Sequence, residues 1–121
     1  MSGDASDQSA ERTLGALRTA AESRMHALDA EIAGVVDAAA GSNLDDEHDP
    51  EGATIAFERE QLVALRDQAR ERLAEITAAL DRLATGRYGR CVQCGRPIAD
   101  ERLAARPAAA LCVHCAARRA R

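Results

Sequence analysis

Four cysteines carry the chemistry of this chain: Cys91-Val92-Gln93-Cys94 and Cys112-Val113-His114-Cys115, two Cys-x-x-Cys pairs with seventeen residues between them. A thiolate pair two residues apart can place both sulfurs on one metal ion. A second pair brought up by a loop then completes a closed tetrahedron, the arrangement that structural zinc prefers. With Cys91, Cys94, Cys112 and Cys115 filling all four positions, the ion would hold no water and do no chemistry of its own. Gly95, directly after the second cysteine, suits a turn in which the chain doubles back with positive φ. Ile98, Leu103, Pro107 and Leu111 are the main apolar residues available to fill a small interior. A segment of the size of 86–121 is too short for burial alone to offset chain entropy. Zinc binding, worth roughly 10 to 16 kcal/mol in small fingers, would supply the difference.

Other uses of four cysteines fit less well. Two disulfides would require an oxidising compartment, yet Met1 to Arg12 is polar and acidic, with no signal-like apolar run. A redox pair needs only one Cys-x-x-Cys and usually opens a helix beside a strand pattern. His114 lies inside the second pair, where four sulfurs already complete the site, and reads as an exposed loop residue. No cysteine is left over as a nucleophile, and neither His26 nor His48 has a partner placed by the sequence. No enzymatic activity is expected.

The rest of the chain must position this head. Phe57 and Tyr88 are its only aromatics; tryptophan and lysine are absent, and alanine and leucine supply most of the apolar fraction. That composition belongs to long helices and coiled coils rather than to a thick globular core. After a polar tail at 1–9, expected to be disordered, Leu14, Ala21, Leu28 and Val35 recur every seven residues, with Met25 and Ile32 four residues after members of that series. Arg18 interrupts the stripe and Leu17 partly substitutes for it. Gly15 and Gly34 each cost about 1 kcal/mol of helix propensity, so this first helix is expected to be the weaker. Gly41 ends it.

A second helix is expected from Pro50 to about Thr85, with Ile55, Leu62, Ala69, Ile76 and Leu83 in strict seven-residue period, Leu73 and Leu80 at the four-residue offset and Leu65 between. Asp49 can cap it and Pro50 fits its first position. The fold class read from this pattern is all-α: an antiparallel coiled-coil hairpin over 10–85, a loop at 41–52 as its tip, and a four-cysteine zinc finger with a short last helix over 86–121. The stripes could instead pair with other chains in a dimer or bundle; the hairpin is the simpler solution, and a monomer is expected. No run is long and apolar enough to cross a bilayer, so a soluble, cytoplasmic protein is expected, with no membrane partner.

Charge divides the chain. Residues 86–121 hold eight arginines against Asp100 and Glu101, a formal balance of plus six, from which a zinc–tetrathiolate centre subtracts two. Residues 1–85 hold eight arginines against eighteen acids, a balance of minus ten, and the loop 41–52 has five acids and no base. A basic head suits nucleic acid or an acidic protein surface. An acidic tip repels nucleic acid and suits a basic surface or a divalent cation.

Gly86-x-Tyr88-Gly89-x-Cys91-x-x-Cys94-Gly95-x-x-Ile98, followed by Arg102-Leu103-x-Ala105-x-Pro107-x-Ala109-x-x-Cys112-x-x-Cys115, resembles the finger signature of the DksA/TraR family of bacterial transcription regulators. The resemblance implies a protein that binds RNA polymerase without sequence-specific DNA binding. In that family the coiled coil inserts into the secondary channel and an acidic tip approaches the catalytic centre to modulate initiation. It also implies guanosine tetraphosphate, shared with the polymerase, as a small-molecule partner. The DksA-type tip pattern, acidic-x-x-Asp-x-Ala, falls without a gap on His48, Glu51 and Ala53. Shifted by two residues it falls on Asp46 and Asp49, with Glu51 in the last place. Asp46, Asp49 and Glu51 are assigned to the tip as a group. A second reading, of a different class, is an autonomous zinc-finger module that binds nucleic acid through its arginines, with the coiled coil as a dimerisation arm. Tyr88 is its only aromatic platform for a base.

Overall fold

Four helices follow one another in the computed structural model: α1 (Ser2–Gly41), α2 (Pro50–Ala84), α3 (Asp100–Ala105) and α4 (Val113–Arg119). The structure describes the backbone of residues 2–41 and 50–120 and the side chains of 5–38 and 52–120. Among the described residues there is no extended strand, only an isolated antiparallel bridge between Arg90 and Pro97. No described helix is long and apolar enough to cross a membrane.

Two compact units divide the packing. One comprises Met1–Ala20 with Leu73–Arg121, the other Ala21–Arg72. In the first unit, Gln8 and Glu11 of α1 line a groove with Leu83 and Leu80 of α2; in the second, Asp29 of α1 meets Arg66 of α2 at 3.4 Å. Rising numbers on α1 meet falling numbers on α2, so the two helices pair antiparallel as a coiled coil. The heptad residues supply the seam: Leu14, Ala21 and Leu28 on α1 are buried, as are Ala69 and Ile76 on α2. Val35, Ile55, Leu62 and Leu83, at the outer ends of the same series, are half-buried. Removing a side chain such as Leu14 or Ile76 from water contributes about 1.5–3 kcal/mol.

Three features depart from the sequence expectation. Residues 1–9, read as a disordered tail, lie in α1 from Ser2 onward. The groove shared with Leu80 and Leu83 gives Asp7 and Gln8 something to lie against. Ala79 and Arg82, which belong to neither apolar series, are buried. The packing boundaries fall inside the long helices, near residues 20 and 73, so the finger shares a unit with the base of the coiled coil. The second helix does begin at Pro50.

Candidate metal centre

The sequence ends α2 sharply before the first cysteine. Gly86 adopts φ 73°, the amide of Arg87 donates to the Arg82 carbonyl at 2.7 Å, and that of Gly86 donates to Leu83 at 3.3 Å. This is the glycine-terminated Schellman pattern. A second left-handed glycine, Gly89 at φ 86°, turns the chain so that its carbonyl accepts from the amide of Ile98 at 2.7 Å. A Cβ at Gly89 would also stand 3.5 Å from Leu103 Cδ1.

Between those points lies the first cysteine turn. The Cys91 amide donates to the Arg96 carbonyl at 2.8 Å, the Gly95 amide donates to the Cys91 carbonyl at 2.9 Å, and Gly95 takes φ 75°, as its position after the second cysteine predicts. The second turn is built on α4. Cys112 is the N-cap of that helix, its sulfur accepting from the Cys115 amide at 3.4 Å, so one orphan donor of the helix start is aimed at a ligand atom. Beneath both turns Cys91, Ile98 and Cys115 form a small buried cluster with Leu103, Leu111 and Cys112 packed against it.

Cys91, Cys94, Cys112 and Cys115 thereby converge. Their four sulfurs lie within 4.8 Å of one another, and Cys94 Sγ is 3.8 Å from Cys112 Sγ. A tetrahedron with metal–sulfur bonds of about 2.3 Å has sulfur–sulfur edges of roughly 3.8 Å, so the donor set matches zinc in chemistry and in size. The electrostatics point the same way. Backbone amides, that of Cys94 foremost, hold the Cys91 thiol down at about 6. Burial, and then the crowding of the other three sulfurs, push Cys115 up to about 12. Four thiolates so close together cannot all ionise unless a cation sits among them.

Three side chains, not singled out as functional by the sequence, hold the segment that delivers Cys112. Tyr88 Oη donates to the Pro107 carbonyl at 2.7 Å, the Arg82 guanidinium to Ala109 at 3.5 Å, and Arg102 Nε to Leu111 at 2.8 Å. Alternate carbonyls of one irregular stretch are thus satisfied by donors from α2, from the turn after it and from α3. Arg82 is buried, and burial pulls its guanidinium below its usual range. Burial likewise raises Tyr88. The only sequence signal for this clasp was the recurrence of Tyr88, Arg102 and Pro107 in the finger signature; Arg82 gave none. Of the expected tip residues, Asp46 and Asp49 lie outside the described residues, as does the side chain of Glu51 in the first turn of α2.

A helical coiled coil carrying a four-cysteine zinc-type finger is thus the class that fold and site define. Comparison with known proteins agrees. Residues 86–121 match the family described as the prokaryotic dksA/traR C4-type zinc finger. The chain is 41% identical over 69 residues to the RNA polymerase-binding transcription factor DksA of Haemophilus influenzae, a match that covers 54% of this chain and 48% of that one. The chain therefore matches about half the length of this curated relative. The solved structure of transcription factor DksA2 from Pseudomonas aeruginosa superposes with a TM-score of 0.78 at 26% identity, covering 95% of this chain and 83% of that one. Residues 86–121 thus carry the dksA/traR type of finger, and the fold of the chain is similar to that of DksA2.

Proposed function

We propose that this protein is a non-enzymatic transcription regulator that binds RNA polymerase directly. The observation that carries the reading is the four-sulfur cluster in a fold alike along nearly its whole length to DksA2, in a chain similar to a polymerase-binding factor. In this reading Cys91, Cys94, Cys112 and Cys115 hold one zinc ion, which contributes folding free energy to residues 86–121 and no reaction chemistry. The Tyr88, Arg82 and Arg102 clasp joins that finger to the base of the coiled coil. The hairpin of 10–85, through its loop at 41–52, carries Asp46, Asp49 and Glu51 into the secondary channel. Their carboxylates then act electrostatically on the catalytic metal and the mobile elements around it. Guanosine tetraphosphate enters as a ligand shared with the polymerase.

The test compares the zinc-loaded protein with a variant carrying Asp46→Ala, Asp49→Ala and Glu51→Ala, for co-purification with core RNA polymerase and for transcription from a short-lived promoter complex. Binding by both, with a transcriptional effect from the native tip alone, is the expected result. Binding by both without any effect from the native protein would leave a channel occupant with an inert tip. Absence of binding by both, with salt-sensitive retention of DNA or RNA by the arginine-rich head, would replace this reading with the nucleic-acid module.

A further inference from the structure

The apolar seam of the second unit does not close. Glu31, Gly34, Val35 and Ala38 of α1 and Ile55, Glu58, Gln61, Leu62 and Leu65 of α2 line an open groove of about 390 Å³. Its origin lies in the sequence: Gly34 and Ala38 present almost no side chain to Ile55, Leu62 and Leu65, and a Cβ at Gly34 would meet nothing within 4 Å. Val35, Ile55 and Leu62 stay half-buried, and Leu65 remains exposed. On α1 the lining positions fall at i, i+3, i+4 and i+7, and on α2 they extend from residue 55 to 65. That is about 15 Å, or roughly three turns, of a cleft between two parallel helix axes, a shape that receives a third helix.

Charge narrows the occupant. The charged residues that line the groove are Glu31 and Glu58. Over 30–38 and 54–65 the remaining charged residues are Asp37, Glu60 and Arg59, so carboxylates outnumber cations on both helices. An acidic rim around an apolar floor is complementary to an amphipathic helix whose apolar face is flanked by arginine or lysine. We infer that this groove is a docking site for a basic amphipathic helix on RNA polymerase; the inference rests on the polymerase reading above.

The test uses the full zinc-loaded chain and core RNA polymerase. One variant fills the groove (Gly34→Leu with Ala38→Leu); a second reverses its rim (Glu31→Lys with Glu58→Lys). The first places good helix formers where space is open, so it is expected to melt no lower than the native chain, which separates lost docking from lost folding. The expected result is at least tenfold weaker polymerase binding by each variant. Equal binding by the native chain and both variants would overturn the groove assignment and leave the polymerase reading intact. No binding by the native chain would overturn both. A native chain that sediments as a dimer, and becomes monomeric when the groove is filled, would overturn the inference by showing that the occupant is a second copy.

Discussion

The two packing units of this protein are built from the same two helices and held together differently. The first buries its middle fully, with Leu14, Ile76 and Ala79 at 0% exposure, and polar clasps and four convergent sulfurs are added to the apolar contact. Among its described residues the second has Leu28, at 5%, as its best-buried large side chain, leaves Phe57 62% exposed and carries an ion pair of Arg66. Arg66 reaches Asp29 at 3.4 Å and Asp67 at 3.9 Å, while its buried Nε has no partner. Heptad spacing alone therefore gives two helices that pair. To that pairing the first unit adds carbonyl clasps and convergent sulfurs, while the second leaves an apolar groove open to a partner.

The comparison can be broken or sharpened at single residues. The largest effect is expected from Cys115→Ser, which removes a buried ligand. Zinc content should fall well below one per chain and the finger should lose its fold, because binding free energies of roughly 10 to 16 kcal/mol are folding free energy in such modules. Metal analysis and circular dichroism would check this. Retention of one tightly bound zinc and of a folded finger would contradict the four-sulfur assignment.

Next, Ile76→Ala in the closed seam should destabilise by about 4 kcal/mol and Leu28→Ala in the open one by about 2 kcal/mol, since the loss grows with the cavity left behind. Denaturant unfolding of both variants would show the gap; equal losses would mean that the units are packed alike. Arg82→Met follows at about 1–3 kcal/mol, because it keeps the stem but leaves the Ala109 carbonyl without its side-chain donor. It should also weaken zinc retention against a chelator, which a purely local packing loss would not.

Glycine substitutions should then differ in sign. Gly34→Ala, in open helical space, is expected to stabilise by about 0.5–1 kcal/mol, whereas Gly89→Ala, at φ 86° against Leu103, is expected to destabilise. Thermal melts of the two would decide. Tyr88 gives the smallest effect and a clean probe, since it is the only tyrosine and there is no tryptophan. Its raised value means that the folded state holds the phenolic proton more tightly than the unfolded chain. The contribution is complete below the unfolded value of about 10 and is lost as pH rises through the folded one. Ultraviolet titration of the native protein should therefore show a midpoint above that of the denatured chain.

Much of this was legible in the residues. The cysteine spacing pointed to the four sulfurs that converge, because two short pairs meeting at one point leave little geometric choice, and Gly95 announced its own backbone angle. Leu14, Leu28, Ala69 and Ile76 announced the seam by period. Arg82 did not, because a buried arginine looks like any solvated helix residue until the carbonyl it satisfies is known, and that carbonyl lies 27 residues away. Ala79 was hidden by its ordinary role as a helix former. The first turns of α1 read as a tail because polar residues carry no period, whereas their support comes from Leu80 and Leu83, far along the chain. The tip at Asp46 and Asp49 lies outside the described residues, so its reading rests on the sequence.

Hydrogen exchange on the zinc-loaded protein, before and after chelation, tests the central contrast most directly. Amides of residues 86–119 should lose protection by several orders of magnitude when the metal is removed, while those of 24–38 and 54–70 keep theirs. Uniform loss along the chain, or none in the finger, would contradict the account of one unit clasped around a metal centre and another held without it.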